Sequence, residues 1–174
     1  AINNADIFSR ELIEEAKCFL EKAKKETSDE ARTAYLHASL FIAFSALEAH
    51  LNSIAEDFLD RKDLTVLEKS ILFEKQITFE AGEFKLTEQL KMYRLEDRIE
   101  FIIRKFSRKP IKKNEIWWGK IKQGIHIRNK LTHPRGKEVI NESMVENSIQ
   151  AILDTLNIIY KAVYKVSYPL KKRG

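Results

Sequence analysis

Cysteine is almost absent: Cys18 is the only one in 174 residues. That excludes an internal disulfide framework and any cysteine-based zinc site. Five Gly and three Pro are few, which argues against a strand-and-turn architecture and for helices. No stretch reaches about 18 uninterrupted apolar residues, and the N-terminus carries no apolar run of signal-peptide length. The expectation is a soluble protein of the cytoplasm, with no membrane partner. No Gly-rich phosphate loop and no Ser or Cys nucleophile arrangement is present. His37, His50 and His126 have no carboxylate or cysteine companions at metal-ligand spacing, so they are expected to be structural, and no metal or cofactor is expected. Cys18 itself is expected to be a small buried residue.

Acidic residues are missing from one region. Residues 104–137 hold twelve Lys and Arg, with Glu115 as the sole acid, a net +11. The whole chain carries only +5, so the other 140 residues sum to −6. A solvated surface normally mixes signs, and a block of one sign points to a polyanionic partner, nucleic acid being the one expected. Lys112, Lys113, Lys120, Lys130 and Arg135 are its candidate contacts. A basic surface that serves only solubility is the alternative.

What is present is helical periodicity. Residues 6–26 carry Ile7, Leu12, Ile13, Ala16, Phe19, Leu20 and Ala23 at helical spacing. Thr27 and Glu30 have the capping-box spacing and should open a second helix running to about Leu59. Its centre, Leu36 to Ile54, is apolar nearly all round, as in the most buried helix of a bundle. Thr65 and Glu68 repeat the capping box before a short helix. Residues 75–94 alternate around Ala81-Gly82, compatible with a small hairpin or with an irregular excursion. Leu95 to Phe106, Trp117 to Leu131 and a last helix marked by Ser143 and Glu146, reaching about Val166, complete the pattern. The fold class is therefore all-α: an up-and-down bundle of four main helices with extra short elements. Residues 1–174 form one domain, with a disordered basic tail from about residue 167 that includes Lys171, Lys172 and Arg173.

The segment Ile127-Arg128-Asn129-Lys130-Leu131-Thr132-His133-Pro134 carries the candidate chemistry. At 100° per residue Arg128 falls about −20° from Ile121, on the same stripe as Trp117 and Ile125. A charge on an apolar stripe is costly without a partner or a task. Were the helix to continue through His133, the two side chains would diverge by about 140°. Pro134 pushes His133 out of the α region, so the imidazole can swing back. Glu48 is a second charge on an apolar face, among Phe41, Phe44, Leu51 and Ala55. It either pairs with Arg128 or a partner chain, or sits half-exposed at a bundle edge. Trp117 and Trp118 are expected to pack, one inward and one toward an interface.

Arg128, Asn129 and His133 resemble the Arg-x4-His signature of the HEPN superfamily, in which a polar residue follows the arginine directly. The segment Ala46-Leu47-Glu48-Ala49-His50-Leu51-Asn52 is similar to that family as well, and the resemblance spans roughly residues 30–166 apart from the middle segment at 75–95. It implies a helical domain and a small metal-independent endoribonuclease of the toxin–antitoxin or phage-defence type. It further implies a homodimer with both Arg/His pairs facing one cleft, and an antitoxin protein as a possible partner. In such an enzyme His133 would move protons at the ribose 2′-hydroxyl or the leaving 5′-oxygen. Arg128 would stabilise charge on the phosphate oxygens, and Asn129 would hold either side chain. Two alternatives stay open. Arg128 can cap the last carbonyls of its own helix, with His133 a mere loop residue. Or the domain binds RNA or a protein without catalysis.

Overall fold

The computed structural model describes residues 4–169. The chain is mainly helical, with six helices and one two-stranded hairpin among those residues: α1 (Asn4–Lys25), α2 (Asp29–Glu56), α3 (Val66–Phe73), β1 (Lys75–Glu80), β2 (Glu83–Leu90), α4 (Leu95–Ser107), α5 (Ile116–Thr132) and α6 (Glu142–Tyr164). The expectation of a helical protein holds in this coarse sense, and the hairpin reading of residues 75–94 is the one the chain adopts.

The helix starts follow local hydrogen-bond chemistry, with two shifts from expectation. Thr65 and Glu68 form the full capping box at the head of α3: the Glu68 N–H donates to Thr65 Oγ1 and the Thr65 N–H to Glu68 Oε2. At α2 the cap is Ser28, not Thr27, because Ser28 Oγ accepts from the Ala31 N–H while the Thr27 N–H is taken by Glu26 Oε1. At α6 the cap is Asn141, whose Oδ1 accepts from the Met144 N–H, two residues ahead of Ser143. Ala81 and Gly82 both adopt positive φ, 50° and 82°, the backbone of a two-residue turn whose twist suits a hairpin. Register follows from that turn, pairing Glu80 with Glu83, Phe79 with Phe84 and Ile77 with Leu86.

Helix α2 is the axis of the molecule and touches all five other helices. Leu36, Leu40, Ala43, Phe44, Ala46, Leu47, Leu51 and Ile54 are buried around its circumference, as its apolar centre requires. By length and composition α2 is also long and apolar enough to cross a membrane; here 61% of that apolar window is buried within the protein. Helix α1 lays Ser9, Ile13, Ala16, Leu20 and Ala23 against the core. The two alanines permit close approach, and Ser39 Oγ reaches across to donate to the Ala16 carbonyl at 2.7 Å. Cys18 lies off this stripe and is exposed, contrary to the expected burial. Helix α6 closes the core with Val145, Ile149, Ile152, Leu156, Ile159 and Tyr160.

The C-terminal segment needs a correction. Disorder from about residue 167 does not describe Tyr168, which is buried: its hydroxyl pairs with Nε2 of the fully buried His50 at 2.9 Å, and its ring meets those of His50 and Tyr160 edge-on. Ser9 Oγ holds the other ring nitrogen at 3.2 Å, so His50 is a core histidine with both nitrogens engaged. Lys171, Lys172 and Arg173 lie outside the described residues.

Candidate nucleic-acid interface

Helix α5 crosses α2 closely. A Cβ on Gly124 would come within 3.1 Å of Phe44 Cζ and 3.3 Å of Ser148 Oγ, so the glycine permits the approach. The inward stripe of α5 is Trp118, Ile121, Gly124 and Ile125. Trp118, rather than Trp117, is therefore the buried tryptophan, while Trp117 is half-buried and its indole N–H donates to the Glu115 carboxylate. One turn beyond Ile125 the stripe ends in Arg128.

The Arg128 guanidinium leaves its own helix. Its carbon sits 5.5 Å from the centre of the Phe44 ring, and Nη2 meets Glu48 Oε1 at 3.4 Å. The Arg128 carbonyl is capped by the Thr132 hydroxyl at 2.9 Å, and the Asn129 carbonyl by the His133 N–H at 2.9 Å. The reading in which Arg128 caps the end of its own helix has no support in these contacts. Both readings of Glu48 hold in part: it pairs with Arg128 and stays partly exposed. The pair is only partly withdrawn from water, with side-chain exposures of 22% for Arg128 and 37% for Glu48. Arg128 Nε is buried and has no hydrogen-bond partner among the described residues.

Behind Glu48 stands a second arginine that the sequence reading did not single out. Arg98 of α4 is 3% exposed. Its Nη2 donates to Asn52 Oδ1 at 2.9 Å and to the Leu72 carbonyl at 3.0 Å, and Nη1 meets Glu74 Oε2 at 3.2 Å. Burial pushes the Arg98 guanidinium below its usual pKa, and the charges of Glu74 and Glu48 oppose that shift. Glu74, left-handed at φ 52° where α3 ends, also holds both feet of the hairpin. Its carbonyl accepts from the Lys91 N–H at 2.8 Å and its Oε1 from the Tyr93 N–H at 3.2 Å. The signal that finds Arg98 is the one that found Arg128: it sits on the apolar stripe of its helix, beside Leu95, Ile99 and Ile102.

These groups wall a cleft of about 320 Å³ between α2, α4, α5 and the foot of β2, with Glu48, Arg98, Arg128 and Asn129 in its lining. His133 does not line it. Helix α5 stops at Thr132, and His133 at φ −127°, ψ 66° is out of the α region as Pro134 demands, with its imidazole exposed. Arg128, Asn129 and Glu48 are thus brought together, and His133 lies at the adjoining helix end.

The basic block is a surface. Lys105, Arg128 and Lys130 find carboxylates, at Glu68 (2.7 Å), Glu48 (3.4 Å) and Glu138 (3.6 Å). The other nine cations of residues 104–137, among them Lys112, Lys113, Lys120 and Arg135, are exposed and have no ion pair among the described residues. Among the described residues no group of three or more His, Cys, Asp and Glu side chains is placed to hold a metal ion. Comparison of the chain with protein-family models, curated proteins and solved structures gives no match.

Arg98 is the group on which the cleft wall hangs. Replacing it with methionine leaves the Glu74 carboxylate without its charge partner, a change that typically costs about 3–5 kcal/mol at buried pairs. The expected result for Arg98→Met is a lower urea midpoint together with loss of hydrogen-exchange protection at Lys91 and Tyr93. An unchanged midpoint with intact protection would show that the hairpin is held by other contacts.

Proposed function

We propose that this protein is a metal-independent endoribonuclease of the HEPN type, acting in the cytoplasm as a toxin or phage-defence effector. In this reading its four longest helices, α1, α2, α5 and α6, form an up-and-down bundle. The observation that carries the reading is Arg128: a guanidinium brought off its helix end onto Phe44 and Glu48, beside an exposed surface of cations without counter-charges. Those cations bind the RNA backbone. Arg128 donates to the non-bridging oxygens of the scissile phosphate as negative charge grows on them. The ribose 2′-oxygen attacks phosphorus, the bond to the 5′-oxygen breaks, and the products are a 2′,3′-cyclic phosphate and a 5′-hydroxyl. A neutral imidazole takes the 2′-hydroxyl proton, and a protonated one supplies the proton to the departing 5′-oxygen. A homodimer through α5 and the Glu48 side of α2 supplies the two imidazoles as the His133 of each copy. An antitoxin protein that covers the basic surface fits the same reading.

A second reading, an RNA- or protein-binding module without catalysis, is favoured by one observation: His133 stands outside the cleft that Arg128 lines. The two readings part on chemistry. With RNA and excess EDTA, the wild-type protein is expected to cleave, while His133→Ala and Arg128→Ala each lose about 10²–10⁴-fold in rate and remain folded by circular dichroism. A 2′-deoxy nucleotide at the cut site should block cleavage. Brisk cleavage by His133→Ala, or cleavage that requires added magnesium, would replace this mechanism.

Binding has its own signature. Each phosphate neutralised releases counterions, so RNA affinity should fall steeply with salt. Charge reversal at Lys112, Lys113 and Lys120, all exposed and unpaired, should weaken binding and flatten the slope of affinity against salt. An unaltered slope would place the RNA elsewhere. The assembly is checked by light scattering at micromolar concentration, where a dimer is expected and a monomer would rule out a site shared between copies.

A further inference from the structure

The cleft and the basic surface differ in kind. The surface is of one sign, suited to phosphates. The cleft is balanced, with Arg94, Arg98 and Arg128 set against Glu48, Glu74 and Glu96 in its lining. A phosphate entering it would meet three carboxylates as well as three guanidinium groups, so its charge gains little. A neutral group that carries both donors and acceptors matches such a lining better, because each charged side chain can then be met by a hydrogen bond of the right polarity.

The rim supplies that bonding capacity. The Glu48–Arg128 contact is a single one, Nη2 to Oε1 at 3.4 Å, and among the described residues Glu48 Oε2, Arg128 Nη1 and the exposed Asn129 amide have no partner. Arg98, by contrast, has both terminal nitrogens engaged and holds the wall still. Apolar surface is present too: Met92 is 67% exposed at the rim, and the buried Ile125 and Leu95 lie behind it. A thioether beside an open polar edge is a surface for the face of an aromatic ring.

We propose that this cleft receives a guanine base. Guanine is the nucleobase that offers two adjacent donors, N1–H and the N2 amine, to one carboxylate. It also offers two adjacent acceptors, O6 and N7, to a guanidinium or amide. Glu48 takes the donor edge, the Asn129 amide serves the acceptors, and Met92 covers a face, which leaves the free nitrogen of Arg128 to the phosphate. The base is that of a nucleotide next to the phosphate held by Arg128, so the cleft gives the nuclease a sequence preference; to that extent the assignment rests on the reading under "Proposed function". The same chemistry would be met by a free guanine nucleotide.

The experiment is fluorescence anisotropy with unstructured RNA 10-mers, non-cleavable through 2′-O-methyl groups, that contain one central G, A, C, U or inosine. It is run beside NMR titration with GMP and AMP. About ten-fold tighter binding is expected for G than for A, C or U, with inosine falling between because it lacks the N2 amine. Glu48→Gln should erase the preference while leaving the dependence of affinity on salt unchanged, and Asn129→Ala should erase the preference as well. RNA binding without any preference for G, or with a preference for another base, overturns the guanine site and leaves the nuclease reading standing. GMP bound in preference to AMP, with no RNA bound at all, supports the guanine site with a free nucleotide as its ligand and overturns the nuclease reading. Neither RNA nor GMP bound overturns both.

Discussion

Three residues of α2, Phe44, Glu48 and Asn52, spaced four apart on one face of the helix, receive two arginines delivered by two other helices. Arg128 arrives from α5 onto Phe44 and Glu48, and Arg98 from α4 onto Asn52. Removing an arginine from water costs several kcal/mol unless charge and hydrogen bonds replace the lost solvation. This stripe supplies much of that replacement, and the surrounding geometry follows from it. Gly124 permits α5 to come close enough for Arg128 to reach Phe44. Arg98 draws in Glu74, and Glu74 fixes where the hairpin leaves and rejoins the helical body.

Much of this was legible in the sequence, for a physical reason: an ionised side chain on an apolar stripe must be explained. The rule picked out Arg128 and Glu48, and the structure joins them. It was not applied to Arg98, whose stripe through Leu95, Ile99 and Ile102 is as regular as that of Arg128. The partners of Arg98 could not be read, since Asn52, the Leu72 carbonyl and Glu74 converge only once three elements have packed. The shifts at the helix starts have a different origin. Thr27 and Ser28, like Asn141 and Ser143, are all competent caps, and the choice is made by which amide the following turn presents. Of the tail expected from about residue 167, the described part includes a buried aromatic, Tyr168. Tyr168 is buried because it meets a polar group, His50, that the core would otherwise have to satisfy differently.

The position of His133 is where sequence logic and geometry meet least closely. Proline after histidine ends the helix as expected, and the imidazole is exposed. Its absence from the cleft means that Arg128 and His133 act on one phosphate only if that phosphate lies at the end of α5 and not deep between α4 and α5. That placement leaves the interior of the cleft for something other than the reacting phosphate. In the proposed reaction it would also put the phosphate beside Arg135 and Lys137, which follow His133 and have no ion pair among the described residues.

The two arginines differ in how tightly they are held, and the difference decides which can act on a ligand. Arg98 has three short contacts to both terminal nitrogens and is almost without exposure; releasing it would strand a buried charge. Arg128 has one long contact to a carboxylate that is itself 37% exposed. Half-exposed pairs of that kind contribute roughly 0–1 kcal/mol, well below what a charge-assisted bond to a phosphate oxygen contributes in a site from which water is excluded. By comparison, the surface pair of Arg61 and Asp63 is bidentate at 2.7 and 2.5 Å, with the Arg61 guanidinium also 5.3 Å over the Phe58 ring. Glu48 and Arg128 fall short of that geometry, with a single contact at 3.4 Å beside the Phe44 ring. The guanidinium is therefore placed by packing more than by its counter-charge, and a guanidinium held that way can take an incoming anion without first being pulled from a strong partner.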